Sequence, residues 1–123
     1  MKRLPDTELE VMKALWDAGD DAPRSALEER LSPFGWAPNT VNTYLSRLVD
    51  KGFVRARRVG RENRYSPLVG REEYLSFDSR AVLDKLYGSP RNFVAALARE
   101  GLSRDELDEL RALVDQLEGR AGR

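Results

Sequence analysis

The sequence predicts a mainly α-helical chain with one small β-hairpin, and three observations carry that expectation. From Pro38 onward, Val41, Tyr44, Leu45, Leu48 and Val49 recur at i, i+3, i+4, i+7 and i+8, the spacing of one buried helix face. Gly52 stops that helix, and the period then changes: Phe53 and Val54 start a strand that alternates with Arg55 and Arg57. Beyond Arg71 only helical periods return. With two helices ahead of it, residues 1–70 have the order helix, helix, helix, hairpin, the outline of a winged helix-turn-helix. Residues 71–123 read as a C-terminal helical region.

Each element has its own local signals. The first helix spans 6–18, with Leu9, Met12, Leu15 and Trp16 as its apolar stripe and Gly19 at its end. Asp6 or Thr7 is expected to cap it, Thr7 standing at capping-box spacing from Glu10. A second helix is expected from Pro23 to Leu31, with Pro23 in its first position and Ala26, Leu27 and Leu31 inward. Ser32-Pro33-Phe34-Gly35 is a turn. Pro38 opens the third helix behind Ala37, a poor cap, so its first amides need other partners, a DNA phosphate among them. The hairpin turn is placed at Val59–Asn63, and Arg64-Tyr65-Ser66 returns. Trp16, Leu27, Leu45, Leu48, Phe53 and Tyr65 are expected to share one core, and Trp36 to be buried as well.

In the C-terminal region a helix over 71–87 carries Leu75, Val82, Leu83, Leu86 and Tyr87 and ends at Gly88. Ser89-Pro90 caps and opens a short helix with Phe93, Val94 and Leu97 inward, closed by Gly101. Ser103 and Glu106 form a capping box for the last helix. Its stripe is Leu107, Leu110, Val114 and Leu117, with Leu113 alongside. Little preceding chain remains to cover that stripe, so a second copy of the protein is the expected cover. The dimerisation residues are then Val82, Leu83, Leu86, Leu107, Leu110, Val114 and Leu117. The plainer alternative is that these helices fold back on their own N-terminal domain.

Charge sharpens the functional reading once it is divided along the chain. The whole chain holds 21 basic and 21 acidic residues and is neutral. Residues 36–70 hold seven basic and two acidic residues, or +5, whereas 1–35 sum to −3 and 71–123 to −2. A positive centre between negative flanks concentrates attraction for phosphate on the third helix and the hairpin. The polar face of that helix presents Asn39, Asn42, Thr43, Ser46 and Asp50, with Thr40 and Arg47 at its edge. Amides, hydroxyls and guanidinium groups hydrogen-bond to base edges and phosphates. Asn39, Thr40, Asn42 and Thr43 are therefore expected nearest the bases of a major groove. Asn42 is placed to bond bidentately to an adenine, and the threonine methyls to touch thymine. Arg47, Arg58, Arg61 and Arg64 are expected to hold phosphates, with Tyr65 bracing the wing. A solvated polar face with an arginine-rich surface hairpin is the alternative without function.

Other classes are excluded by what the sequence lacks. Without cysteine or histidine there is no disulfide, thiolate site or imidazole ligand or base. No acidic pair stands in an apolar setting, and no glycine-rich phosphate loop occurs. No apolar run approaches the ~20 residues of a membrane span. The expectation is a cytoplasmic binding protein that is not an enzyme, uses no cofactor or metal and contacts no membrane.

Several segments together resemble the penicillinase-repressor family, of BlaI/MecI type. They are Leu4-Pro5-Asp6-Thr7-Glu8-Leu9-Glu10-Val11-Met12, Leu15-Trp16 and Trp36-Ala37-Pro38-Asn39-Thr40-Val41. Leu45-Ser46-Arg47-Leu48, Lys51-Gly52-Phe53-Val54 and Tyr65-Ser66-Pro67-Leu68 continue the match. Val82-Leu83-Asp84-Lys85-Leu86-Tyr87 and the run from Leu102 to Leu110 extend it over nearly the whole chain. The resemblance implies a homodimeric transcriptional repressor on a palindromic operator, with an N-terminal winged helix and a C-terminal dimerisation region. Three positions depart from the family. Resistance-regulating members are inactivated by cleavage of an Asn-Phe bond, and the aligned residues here are Ala95-Ala96. A regulatory protease that reads the resistance-type bond is thus expected to leave this chain intact. The cysteine cluster of copper-responsive members has no counterpart, and Asn42 stands where some members carry arginine.

Two other functions fit the same elements. One is a regulator that senses a small ligand in a pocket lined by Arg71 to Tyr87. The other is a winged helix that only docks another protein. DNA affinity that responds to ligand marks the first, and absence of affinity for random duplex at low salt marks the second.

Overall fold

The computed structural model describes residues 1–121, in which three helices precede a hairpin and further helices follow it. Helix α1 (Asp6–Ala18) starts behind Pro5, whose carbonyl accepts the Leu9 amide at 2.9 Å. The capping box expected at Thr7 and Glu10 does not form. The helix already begins at Asp6, so Thr7 lies within its first turn, and Glu10 accepts instead from Lys13 at 3.1 Å. Val11, Met12, Ala14 and Leu15 enter the core, with Leu9 and Trp16 packed at its margin.

Strand β1 (Ala22–Pro23) is too short to leave an alternating pattern in the sequence. It pairs antiparallel with β3 (Glu62–Pro67), Ala22 opposite Tyr65 and Pro23 opposite Arg64. Pro23 therefore closes an edge strand, where its missing N–H is tolerated, and does not open the second helix. Helix α2 (Arg24–Leu31) follows, burying Leu27 and Leu31. Ser32–Phe34 make one tight turn that Gly35 ends at φ +65°.

Helix α3 (Pro38–Asp50) buries Val41, Leu45 and Leu48, and Tyr44 is half-buried. Val49, expected inward, is 39% exposed. Eight residues carry a helix ~80° past its starting direction, so Val49 leaves the stripe that Val41 begins. The Gly52 amide donates to the Val49 carbonyl at 3.0 Å and the Phe53 amide to that of Leu48 at 2.9 Å. This paired cap needs the left-handed φ of +81° that Gly52 supplies, and it turns Phe53 back into the core.

Strand β2 (Val54–Val59) runs antiparallel to β3, in register from Val54 opposite Pro67 to Val59 opposite Glu62. Only Gly60-Arg61 remain as the turn, shorter than the five residues the sequence suggests. Gly60, at φ +63°, supplies the positive first position of a two-residue turn matched to strand twist. The sheet order is β1-β3-β2.

Contacts divide the chain into one unit over Met1–Ser79 and another from Arg80 onward. Tyr74, in helix α4 (Arg71–Val82), explains why the first unit reaches past the hairpin. Its ring, 1% exposed, lies 5.9 Å from Phe53 and 6.1 Å from Trp16, centroid to centroid. Its hydroxyl accepts the Leu4 amide at 2.8 Å. Trp16 donates through Nε1 to the Val69 carbonyl at 2.9 Å, and Arg71 covers its ring while pairing with Asp17. Lys51 reaches the buried Glu8, tying the end of α3 to the start of α1. Leu75 is 49% exposed, because the packed face of α4 is Tyr74, Phe77 and Asp78.

In the second unit the helix continues as a wider π-type turn over Leu83–Tyr87. Ser89 caps helix α5 (Pro90–Glu100) by accepting the Asn92 amide at 3.1 Å, with Pro90 in the first position. Helix α6 (Arg104–Ala121) opens with the expected capping box: Ser103 Oγ accepts from the Glu106 amide at 3.0 Å, and Glu106 Oε1 from the Ser103 amide at 2.9 Å. The Ser103 amide first, and the Ser103 hydroxyl after it, hold the Glu106 carboxyl below its usual range. Phe93, Val94 and Leu97, expected inward, are 36–43% exposed.

Candidate nucleic-acid interface

The apolar stripe of α3 faces the core, which forces its polar residues outward. Asn39, Asn42, Thr43, Ser46 and Arg47 are exposed, and Thr40 is half-buried. Ala37 offers no side-chain cap, so the amino end of α3 carries no protein side chain on its first amides. Thr43 Oγ1 donates to the Asn39 carbonyl at 3.0 Å. That bond satisfies the hydroxyl locally, on an exposed residue. Asn42 Oδ1 accepts from Arg24, at the start of α2, and a second nitrogen of Arg24 donates to the Pro38 carbonyl at 3.0 Å.

Strand alternation sorts the hairpin arginines onto two faces. Ala56, Arg58, Asn63 and Tyr65 share one face, which with Asn42, Ser46 and Asp50 of α3 borders a cleft between helix and wing. Arg55, Arg57 and Arg64 share the other. Arg57 stands directly opposite Arg64, and like charges in such a pair repel. Asp21 resolves the repulsion. Its carboxylate takes a two-point bond from Arg57, its carbonyl accepts from Arg64 at 3.3 Å, and its amide donates to Ser66 Oγ at 2.9 Å. The hydrogen bond from Arg57, more than any other influence, holds the Asp21 carboxyl below the usual carboxylate range. Asp21 sits at φ +58°, a left-handed conformation that aspartate tolerates better than most residues.

The wing therefore holds two kinds of arginine. Arg57 is bound to Asp21, and Arg64 is half-buried and paired with Glu62 at 3.0 Å. Arg55, Arg58 and Arg61, with Arg47 on α3, are exposed and make no ion pair among the described residues. Sequence reasoning did not reach Arg24 or Asp21. Their partners lie 18 and 36 residues away, and no local pattern marks them.

Among the apolar residues singled out in the second unit, Val82, Leu83 and Leu110 are half-buried. Leu86 is 69% exposed, Leu107 43%, and Val114 and Leu117 50%. Within a single chain, that stripe is largely bare. Among the described residues no helix is long and apolar enough to cross a membrane, and no acidic cluster has the makings of a metal site.

Three helices, a three-stranded sheet and an exposed polar helix beside unpaired arginines define a winged-helix DNA-binding protein. The chain matches the penicillinase repressor family over residues 4–116 and belongs to that family, a family of repressors and not of enzymes. It is 30% identical to the penicillinase repressor of Bacillus licheniformis over 125 residues, covering 98% of each chain. It is 33% identical to the transcriptional regulator BlaI of Mycobacterium tuberculosis over 126 residues, covering 99% of this chain and 90% of that one. The solution structure of the monomeric form of Bacillus licheniformis BlaI, in complex with the blaP half-operator, superposes with a TM-score of 0.50. It is 32% identical and covers 59% of this chain and 89% of that one.

Proposed function

We propose that the protein is a transcriptional repressor that binds a palindromic DNA operator as a homodimer in the cytoplasm, without a cofactor. The observation that carries this reading is the exposed polar face of α3 set beside a wing whose outer arginines have no partner of their own. Asn39, Thr40, Asn42 and Thr43 face the bases of the major groove. Arg47, Arg58, Arg61 and Arg64 approach phosphates, Arg64 at the expense of its bond to Glu62. Residues 1–70 form the DNA-binding domain, and residues 71–123 supply the dimer contacts through Val82, Leu83, Leu86, Leu107, Leu110, Val114 and Leu117. The kinship supports the DNA assignment, since a relative of known structure is a repressor on its half-operator.

Repression follows from occupancy: a dimer seated on a promoter excludes the transcription machinery. A regulatory protease remains a fitting partner only if its preference differs from that for the resistance repressors, because the aligned bond is Ala95-Ala96. Asn92-Phe93 lies three residues earlier, in the first turn of α5, where Asn92 Nδ2 donates to the Tyr87 carbonyl at 2.8 Å.

Selection from a library of randomised duplexes tests the reading. The retained sequences should share a two-fold symmetric motif whose half-sites lie about one helical turn apart or a multiple of it. Binding to random duplex should also appear at low salt and weaken steeply as salt rises. No affinity for random duplex at low salt would make the winged helix a docking module instead.

A further inference from the structure

We propose that Arg24 is a positioning residue that fixes which end of the Asn42 amide is presented to DNA, and so sets the base read at that position. The inference rests on the DNA-reading assignment above and adds a residue outside α3 to it. Arg24 is the first residue of α2, and its side chain is only 21% exposed. One terminal nitrogen donates to Asn42 Oδ1 and the other to the Pro38 carbonyl at 3.0 Å. Its Nε lies 3.4 Å from Glu28 Oε1. A planar guanidinium held by hydrogen bonds from both terminal nitrogens, with Glu28 as a nearby counter-charge, keeps one orientation, which a flexible ammonium group would not.

The consequence is chemical. A bidentate contact to adenine needs both ends of the asparagine amide, the oxygen accepting from N6 and the nitrogen donating to N7. With Oδ1 engaged by the charged Arg24 fork, the NH2 group is the end of the amide with no hydrogen-bond partner among the described residues, and so the end offered to a base. A pure donor is matched best by guanine, whose O6 and N7 both accept; thymine offers the single acceptor O4, and the amino groups of adenine and cytosine oppose it. On this proposal Asn42 reads guanine, where an isolated asparagine would be expected to read adenine. A second effect follows from the Pro38 contact: the same fork that orients Asn42 also fixes the amino end of α3 against α2.

The test uses the full-length protein and the randomised duplex library, with enriched motifs compared among the wild type, Arg24→Met, Asn42→Ala and the double variant. The wild type should enrich guanine at the one position per half-site where Asn42→Ala loses its preference. Arg24→Met should shift that position toward adenine, by ~10-fold or more in relative enrichment for a good two-bond contact. The double variant should match Asn42→Ala, since without the amide there is nothing for Arg24 to orient. Adenine at that position in the wild-type motif overturns the proposal, whether or not Arg24→Met folds. So does an Arg24→Met motif identical to that of the wild type. A salt dependence flattened by one phosphate contact with the motif unchanged also overturns it, since Arg24 would then touch only the backbone. A wild type that enriches no motif overturns the DNA-reading assignment and this inference together.

Discussion

The hydroxyl of Tyr74 accepts the Leu4 amide while its ring packs among Trp16, Phe53 and Phe77, so one side chain holds the N-terminal segment and α4 to the same core. Tyr74→Phe keeps the ring and strands a buried N–H, which should destabilise the fold by ~1–3 kcal/mol. Burial, before any other cause, raises the Tyr74 pKa above 10.0. The folded state then binds the phenolic proton more tightly than the unfolded state does. The tyrosine's contribution is complete below pH 10 and is lost as pH rises through the higher folded value. Urea unfolding should therefore show a wide gap between wild type and Tyr74→Phe at pH 8 that narrows at pH 11. An equal gap at both would mean the phenol does not change its ionisation between the two states. This residue was illegible in the sequence because the aliphatic positions of 71–87 dominate the helical period, and Leu75 displaces Tyr74 from the apparent buried face. Asp21 and Arg24 were illegible for a different reason. Their roles depend on partners that only the tertiary fold brings near.

At the scale of elements, the winged helix could be read from the sequence where hydrophobic period and glycine placement agree. α3, its Gly52 stop, the two long strands and the two C-terminal caps all meet that condition, and each recurs in the structure at or near its expected bounds. β1 and the π-type turn do not, since two residues show no alternation and a single wide turn barely disturbs a period of 3.6. Within the wing, Arg58, Arg61 and Arg64 are alike expected from the sequence to hold phosphates. The register separates them, because alternation puts Arg57 and Arg64 over Asp21 and leaves Arg58 and Arg61 without partners. Replacing both Arg58 and Arg61 by alanine should therefore reduce binding to operator and random duplex alike. It should also flatten the log–log salt slope by ~1.8, two contacts at ~0.9 each. Arg57→Ala should leave that slope nearly unchanged and loosen the hairpin instead, through loss of the bond to Asp21. Titration by fluorescence anisotropy over a range of salt concentrations reads both outcomes. An unchanged slope in the double variant would mean that the wing stays in solvent when DNA is bound.

For the whole molecule, the division of charge and the division of apolar surface point to two separate tasks. The net charge of +5 lies on the middle of the chain, around α3 and the wing, while the bare apolar stripe lies in α6, far along the sequence. One copy offers DNA a single recognition helix, and a palindromic operator needs two held at a fixed spacing. The proposed dimer supplies that spacing and covers the stripe in the same step. Val114 is the sharpest probe, because its side chain is 50% exposed in a single chain. Val114→Asp puts the new carboxylate in water as long as the protein is alone, so the fold should survive. Against a second copy the same carboxylate would be buried without a partner, at a cost of several kcal/mol. At ~1.4 kcal/mol per factor of ten, the dimer constant should weaken by ~100-fold or more. Sedimentation should then find a folded monomer at micromolar concentration. Affinity for a two-half-site operator should fall far more than affinity for a single half-site, since the second contact is no longer made within one particle. A wild type that sediments as a monomer while binding the full operator tightly would sink the dimer, and the α6 stripe would then need another partner.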